Sequence, residues 1–112
     1  MDIKERFKEA KFIKNKIERL EEAKNYTDYL GGERQEYINQ QIEEWKRKLY
    51  DYITDTLKDL DKLTNEAQYN IMFRRYIQFK PWEEIAEEYM YTMKWTLALH
   101  RKALYKIEES TL

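Results

Sequence analysis

The chain has 112 residues, 38% of them charged, with 21 Lys and Arg against 22 Asp and Glu and a formal net charge of −1. This length holds one small globular unit, with or without an extended helical arm, and the charge is less basic than a free-standing DNA binder prefers. Zero cysteines and a single histidine leave no disulfide framework, thiolate centre or zinc site to expect, so no metal or other cofactor is anticipated.

No apolar run approaches the ~20 residues of a membrane span. The charged start MDIKERFKEAK also lacks the apolar core of a secretory leader. A cytoplasmic protein without membrane contact is the expectation.

Two Gly and one Pro leave little punctuation, so the elements should be few and long. Ile3, Phe7, Ala10, Ile13, Ile17, Leu20 and Ala23 recur every three or four residues with Lys, Arg and Glu between them. This predicts a helix from about Ile3 to Asn25 that frays through Tyr26–Leu30 and stops at Gly31-Gly32. Ile38, Ile42, Trp45, Leu49, Ile53, Leu57, Leu60 and Leu63 continue the spacing as a second helix ending near Leu63, on the order of 45 Å long. Neither can bury its stripe alone. They should pair as a hairpin or, through a second copy, as a four-helix bundle, and a homo-oligomer is expected because an exposed stripe carrying Trp45 is a liability on a monomer.

Thr64 or Asn65 can cap a third helix through Ile77, with Ala67, Ile71 and Met72 or Phe73 inward. Pro81 suits the first turn of a fourth, where Glu83 and Glu84 meet the positive end of the helix dipole. Ile85 and Tyr89 should face its core, with the small Ala86 allowing a close crossing. Thr92 then caps a fifth helix carrying Thr96, Leu99, Ala103, Leu104 and Ile107 inward. So close in sequence, the last two helices must be joined by a sharp turn, the layout of a helix-turn-helix. The fold expected is all-α, a long helical hairpin (1–63) followed by a helix-turn-helix domain (64–112).

In such a motif the second helix enters the major groove. Beginning with the Thr92 cap, the residues away from the core are Met93, Lys94, Leu97, Ala98 and Arg101. Lys94 and Arg101 suit guanine O6 and N7 or phosphate, and Ala98, Leu97 or Met93 can touch a thymine methyl. Arg74, Arg75, Lys80, Lys102 and Lys106 are placed to neutralise phosphates without reading sequence. From Tyr89 to Ile107 there are four basic residues and no acidic ones, whereas Glu83, Glu84, Glu87 and Glu88 crowd the preceding helix. The positive charge is local. It predicts weak non-specific affinity and reliance on a dimer partner, or on a larger protein such as RNA polymerase, to hold the domain on DNA.

The run RYIQFKPWEEIAEEYMYTMKWTLALHRKAL resembles the C-terminal helix-turn-helix, region 4, of sigma-70 factors. It is more closely similar to small phage and prophage regulators of the ArpU and RinA type. The matching positions are Arg75-Tyr76-Ile77, Trp82-Glu83-Glu84-Ile85-Ala86, Tyr91-Thr92, His100 and Ala103-Leu104, all within roughly the last 50 residues. The resemblance implies a sequence-specific transcriptional regulator of phage or prophage type, binding double-stranded DNA near a promoter or through RNA polymerase. Sigma-like domains usually place Gly in the turn, where this chain has Met90, at a cost on the order of 1 kcal/mol if φ is positive there. Thr96 stands where they usually have Val or Ile.

Asp51, Asp55 and Asp59 share a helical face, but on a charge-rich helix they read as solvated rather than as a metal or catalytic site. His100 has no partner nucleophile and reads as a packing or phosphate-facing residue, so no enzyme is expected. Trp82 and Trp95 read as core. Two alternatives remain: a helical adaptor or RNA-polymerase-binding anti-regulator that uses the Leu97 and Met93 face as a groove filler, and a DNA recognition protein like the small subunit of a phage terminase.

Overall fold

The computed structural model describes residues 2–33 and 35–111. Its elements are five α-helices, α1 (Ile3–Tyr29), α2 (Glu36–Leu60), α3 (Glu66–Tyr76), α4 (Trp82–Glu88) and α5 (Met93–Thr111), with no strand among the described residues. The fold is therefore all-α. Two compact units divide the chain, Met1–Ile53 and Thr54–Leu112. The division falls inside α2, whereas the sequence places it in the turn after that helix.

In the first unit Asp2 caps α1 by accepting the Glu5 N–H at 2.9 Å. The helix continues a full turn past Asn25 because its end is closed rather than frayed. The Gly32 N–H reaches back to the Thr27 carbonyl at 2.7 Å and the Gly31 N–H to that of Asp28 at 3.1 Å, the Schellman arrangement that satisfies last-turn carbonyls. Gly31 and Gly32 take φ of 114° and 74°, which side-chain-bearing residues rarely adopt. The Gln35 side chain then ties the connection to Asp28 and Thr27. Across the hairpin the Phe12 ring meets Trp45 edge-on at 6.0 Å between centroids, and Lys46 lies 3.7 Å from Glu21. On the α1 surface Lys14 holds Glu18 at 2.7 Å, and this hydrogen bond and charge keep the Glu18 carboxyl below the ordinary carboxylate range.

α2 stops at Leu60, one turn before Leu63, making it about 37 Å long rather than 45 Å. The Lys62 and Leu63 N–H groups bond the carbonyls of Asp59 and Leu60 at 3.1 and 3.0 Å, a tightening to i→i+3 bonds that ends the α-helix. The Lys62 ammonium adds an ion pair with Asp59 at 3.3 Å.

Ile3, Phe7, Ala10, Ile17, Ile42 and Tyr52 are buried in the first unit, and the second has a buried set of its own. Asn65, rather than Thr64, caps α3 by accepting the Gln68 N–H at 2.9 Å. The helices α3, α4 and α5 each pack on the other two. Leu60, Ile71, Met72, Ile85, Leu99, Ala103 and Ile107 are buried, while Ala67, Phe73, Tyr89 and Leu104 are only half-buried. Thr96 is fully buried, and its hydroxyl donates to the Thr92 carbonyl at 2.9 Å. A hydroxyl bonded within its own helix costs little in a core, which is how Thr stands at an apolar position.

Candidate nucleic-acid interface

The interface is built from the loop before α4, the turn after it and the face of α5. Pro81 has extended backbone (ψ 152°) and no donor, so it occupies the cap of α4 without leaving an N–H unpaired. The loop before it folds back through Phe79, at φ 60°, and the Lys80 N–H bonds the Arg74 carbonyl at 3.1 Å.

The turn between α4 and α5 is another Schellman closure. The Tyr91 N–H bonds the Ala86 carbonyl at 2.8 Å, and the Met90 N–H bonds that of Glu87 at 3.1 Å. Such a closure requires a left-handed residue, and Met90 supplies it at φ 55° while its side chain stays 90% exposed. Met90→Gly is therefore expected to raise stability by about 1 kcal/mol, because no packing is lost and the Cβ penalty is removed. Urea unfolding of the two proteins checks this. A glycine variant less stable than wild type would show that the Met90 side chain has a folded-state role beyond its conformation.

Thr92 then starts α5, its hydroxyl oxygen accepting the Trp95 N–H at 3.0 Å. Met93, Lys94 and Arg101 are exposed on this helix, and Leu97 and Ala98 are half-buried. The positions 94, 97, 98 and 101 share one stripe by helical spacing. Beside it the Lys102 ammonium sits 5.5 Å above the Trp95 ring, and Lys106 is exposed. Trp95 is thus not core but 45% exposed, because it falls outside the 96, 99, 103 stripe.

The other basic residues have different surroundings. Arg74 places Nε 3.2 Å from Glu88 Oε1, an ion pair without hydrogen-bond alignment, and its Nη1 donates to Gln78 at 3.0 Å. Lys80 lies 3.5 Å from Glu88 and 3.9 Å from Glu84. Arg75 donates to the Lys80 carbonyl at 3.1 Å and stacks its guanidinium 5.1 Å from the Trp82 ring centroid. Among the described residues, the side chains of Lys94 and Arg101 have neither a hydrogen-bond nor an ion-pair partner.

No protein-family model, curated protein or solved structure matches the chain. The local geometry alone must carry a functional reading.

Behind the exposed stripe lies a cluster that sequence patterning did not assemble. His100 is buried on α5, and its Nε2 is 2.7 Å from the Tyr76 hydroxyl of α3. The Trp82 ring of α4 packs on the same imidazole at 4.5 Å between centroids. One side chain from each of the three helices therefore meets at His100, which sets how α5 is held against its supports. The missed signal was Tyr76, which lies one turn beyond Met72 on α3 and is 2% exposed.

Proposed function

We propose that the second unit is a DNA-reading helix-turn-helix of the sigma region-4 kind, and that the chain is a sequence-specific transcriptional regulator of phage or prophage type. The observation that carries this reading is the segregation of basic groups. Lys94 and Arg101 stand exposed and unpaired on a stretch, Tyr89 to Ile107, that has no acidic residue, while Arg74, Arg75 and Lys80 are occupied by groups of their own unit. Unpaired cations beside apolar Met93, Leu97 and Ala98 provide both hydrogen-bond donors for guanine and surfaces for thymine methyls. Lys102 and Lys106 flank them as phosphate contacts; Arg74, Arg75 and Lys80 would join only by giving up some of their present partners.

The test is selection of bound fragments from phage and host DNA at two salt concentrations, with wild type set against Lys94→Ala/Arg101→Ala. One enriched motif that the double variant loses is expected, with binding that weakens as salt rises. Absence of enrichment, or weak binding that the substitutions leave unchanged, removes the DNA reading.

Self-association through the first unit belongs to the same proposal, since paired half-sites are read by dimers. Phe12 is 63% exposed against Trp45, a large apolar surface for an isolated hairpin. Phe12→Lys is expected to convert a dimer to monomers in sedimentation, and a monomeric wild type overturns this part. A second reading, a helical adaptor that engages RNA polymerase or another protein, is favoured by Met90, which presents an exposed apolar side chain at the turn beside Met93.

A further inference from the structure

The chemistry available for reading bases on α5 is unusually narrow. Between Tyr89 and Ile107 there is no Asn, Gln, Asp or Glu. The side chains that bond adenine N6 and N7 in two-pronged fashion, and those that accept from cytosine N4, are therefore missing from this stretch; the acids of α5, Glu108 and Glu109, lie at its C-terminal end, about two turns beyond Arg101. Of the threonines in this stretch, the buried Thr96 is withdrawn, donating to the Thr92 carbonyl, and the exposed Thr92 accepts the Trp95 N–H while its own O–H can still donate, as to a guanine or thymine oxygen. What remains on the outward stripe is Lys94 and Arg101, which suit guanine, and Leu97 and Ala98, which suit only the thymine methyl.

Their spacing supplies a register. Seven residues separate Lys94 from Arg101, two helical turns that place them on one face about 10.5 Å apart along the axis. Successive bases on one strand rise about 3.4 Å, so the two cations stand about three base pairs apart. Leu97 and Ala98 lie between them.

We propose that α5 reads a half-site in which two G·C pairs about three base pairs apart, one bound by Lys94 and the other by Arg101, bracket T·A pairs whose thymine methyls pack on Leu97 and Ala98. This rests on the reading of α5 as the DNA-recognition helix. Adenine and cytosine are then recognised only through their partners, thymine and guanine.

The experiment begins with selection from a randomised duplex pool by the full chain and continues with base analogues in the selected site. 7-Deazaguanine removes the N7 acceptor alone, and deoxyuridine removes the thymine methyl alone. Either guanine replaced by 7-deazaguanine is expected to weaken wild-type binding by between about 5-fold and 150-fold. Lys94→Ala should be insensitive to the change at one guanine and Arg101→Ala to the change at the other. Deoxyuridine between them should weaken binding about fourfold per methyl.

A selected motif without the guanine pair, or variants as sensitive to both analogues as wild type, overturns the register while leaving the DNA reading in place. A pool from which nothing is enriched overturns both. Lys94 and Arg101 are exposed, and helical circular dichroism of each variant confirms that the comparison is between folded proteins.

Discussion

Ile85→Ala is expected to destabilise the second unit by about 2–5 kcal/mol, the range for emptying a close-packed aliphatic site. Ile85 is 0% exposed and sits on a helix of only seven residues. A helix that short has too few internal bonds to persist in water and depends on packing for its order. A unit of about sixty residues has stability on the order of 5 kcal/mol, so the variant keeps at most about 3 kcal/mol, and at the upper end of the loss about half of it is unfolded at 25 °C. Loss of near-ultraviolet ellipticity and a lower urea midpoint would report it, with Ile85→Val as the graded control at about 0.5–1.5 kcal/mol. An alanine variant within about 1 kcal/mol of wild type would mean that Ile85 is not what seats α4.

The second large effect is expected at the aromatic cluster. His100→Ala should cost about 3–4 kcal/mol, because it strips the ring on which Trp82 packs and leaves the buried Tyr76 hydroxyl without its 2.7 Å partner. Tyr76→Phe removes the hydroxyl while keeping the ring, and should cost only about 1–3 kcal/mol. The gap between the two measures the packing share. Equal losses would show that the hydrogen bond alone carries the cluster. If α5 reads DNA as proposed, both variants should lower DNA affinity in proportion to the folded fraction without changing which bases are preferred, because His100 lies on the inner side of that helix.

The fold was legible where a local rule governed it. Periodicity located α1, α2 and α3, and the caps at Asn65 and Thr92 were visible because a side-chain oxygen must meet an orphan N–H two or three residues on. The ends of helices were less legible. Whether α1 stops at Asn25 or Tyr29 depends on carbonyls closed by Gly31 and Gly32, and on Gln35 returning from beyond the turn. For Met90, the residue type argued against positive φ while the position required it, and the turn prevailed.

The candidate site divided the same way. Exposure of Lys94 and Arg101 and burial of Thr96, Leu99 and Ala103 follow from helical spacing. The engagement of Arg74 and Lys80 by Glu88 depends on a loop folding back through Phe79, and the His100 cluster on three helices meeting; neither is a property of any one segment.

The separation of acidic α4 from the acid-free stretch Tyr89 to Ile107 also bears on what an approaching polyanion senses. At physiological ionic strength the screening length is about 8 Å. A ligand seated on α5 then responds to Lys94, Arg101, Lys102 and Lys106 rather than to the chain's net charge of −1. At 0.01 M the length grows to about 30 Å, and the carboxylates of α4 enter the sum. The cations nearest the ligand still dominate, so lowering salt strengthens the contact, but the acidic neighbours of α4 take back part of that gain.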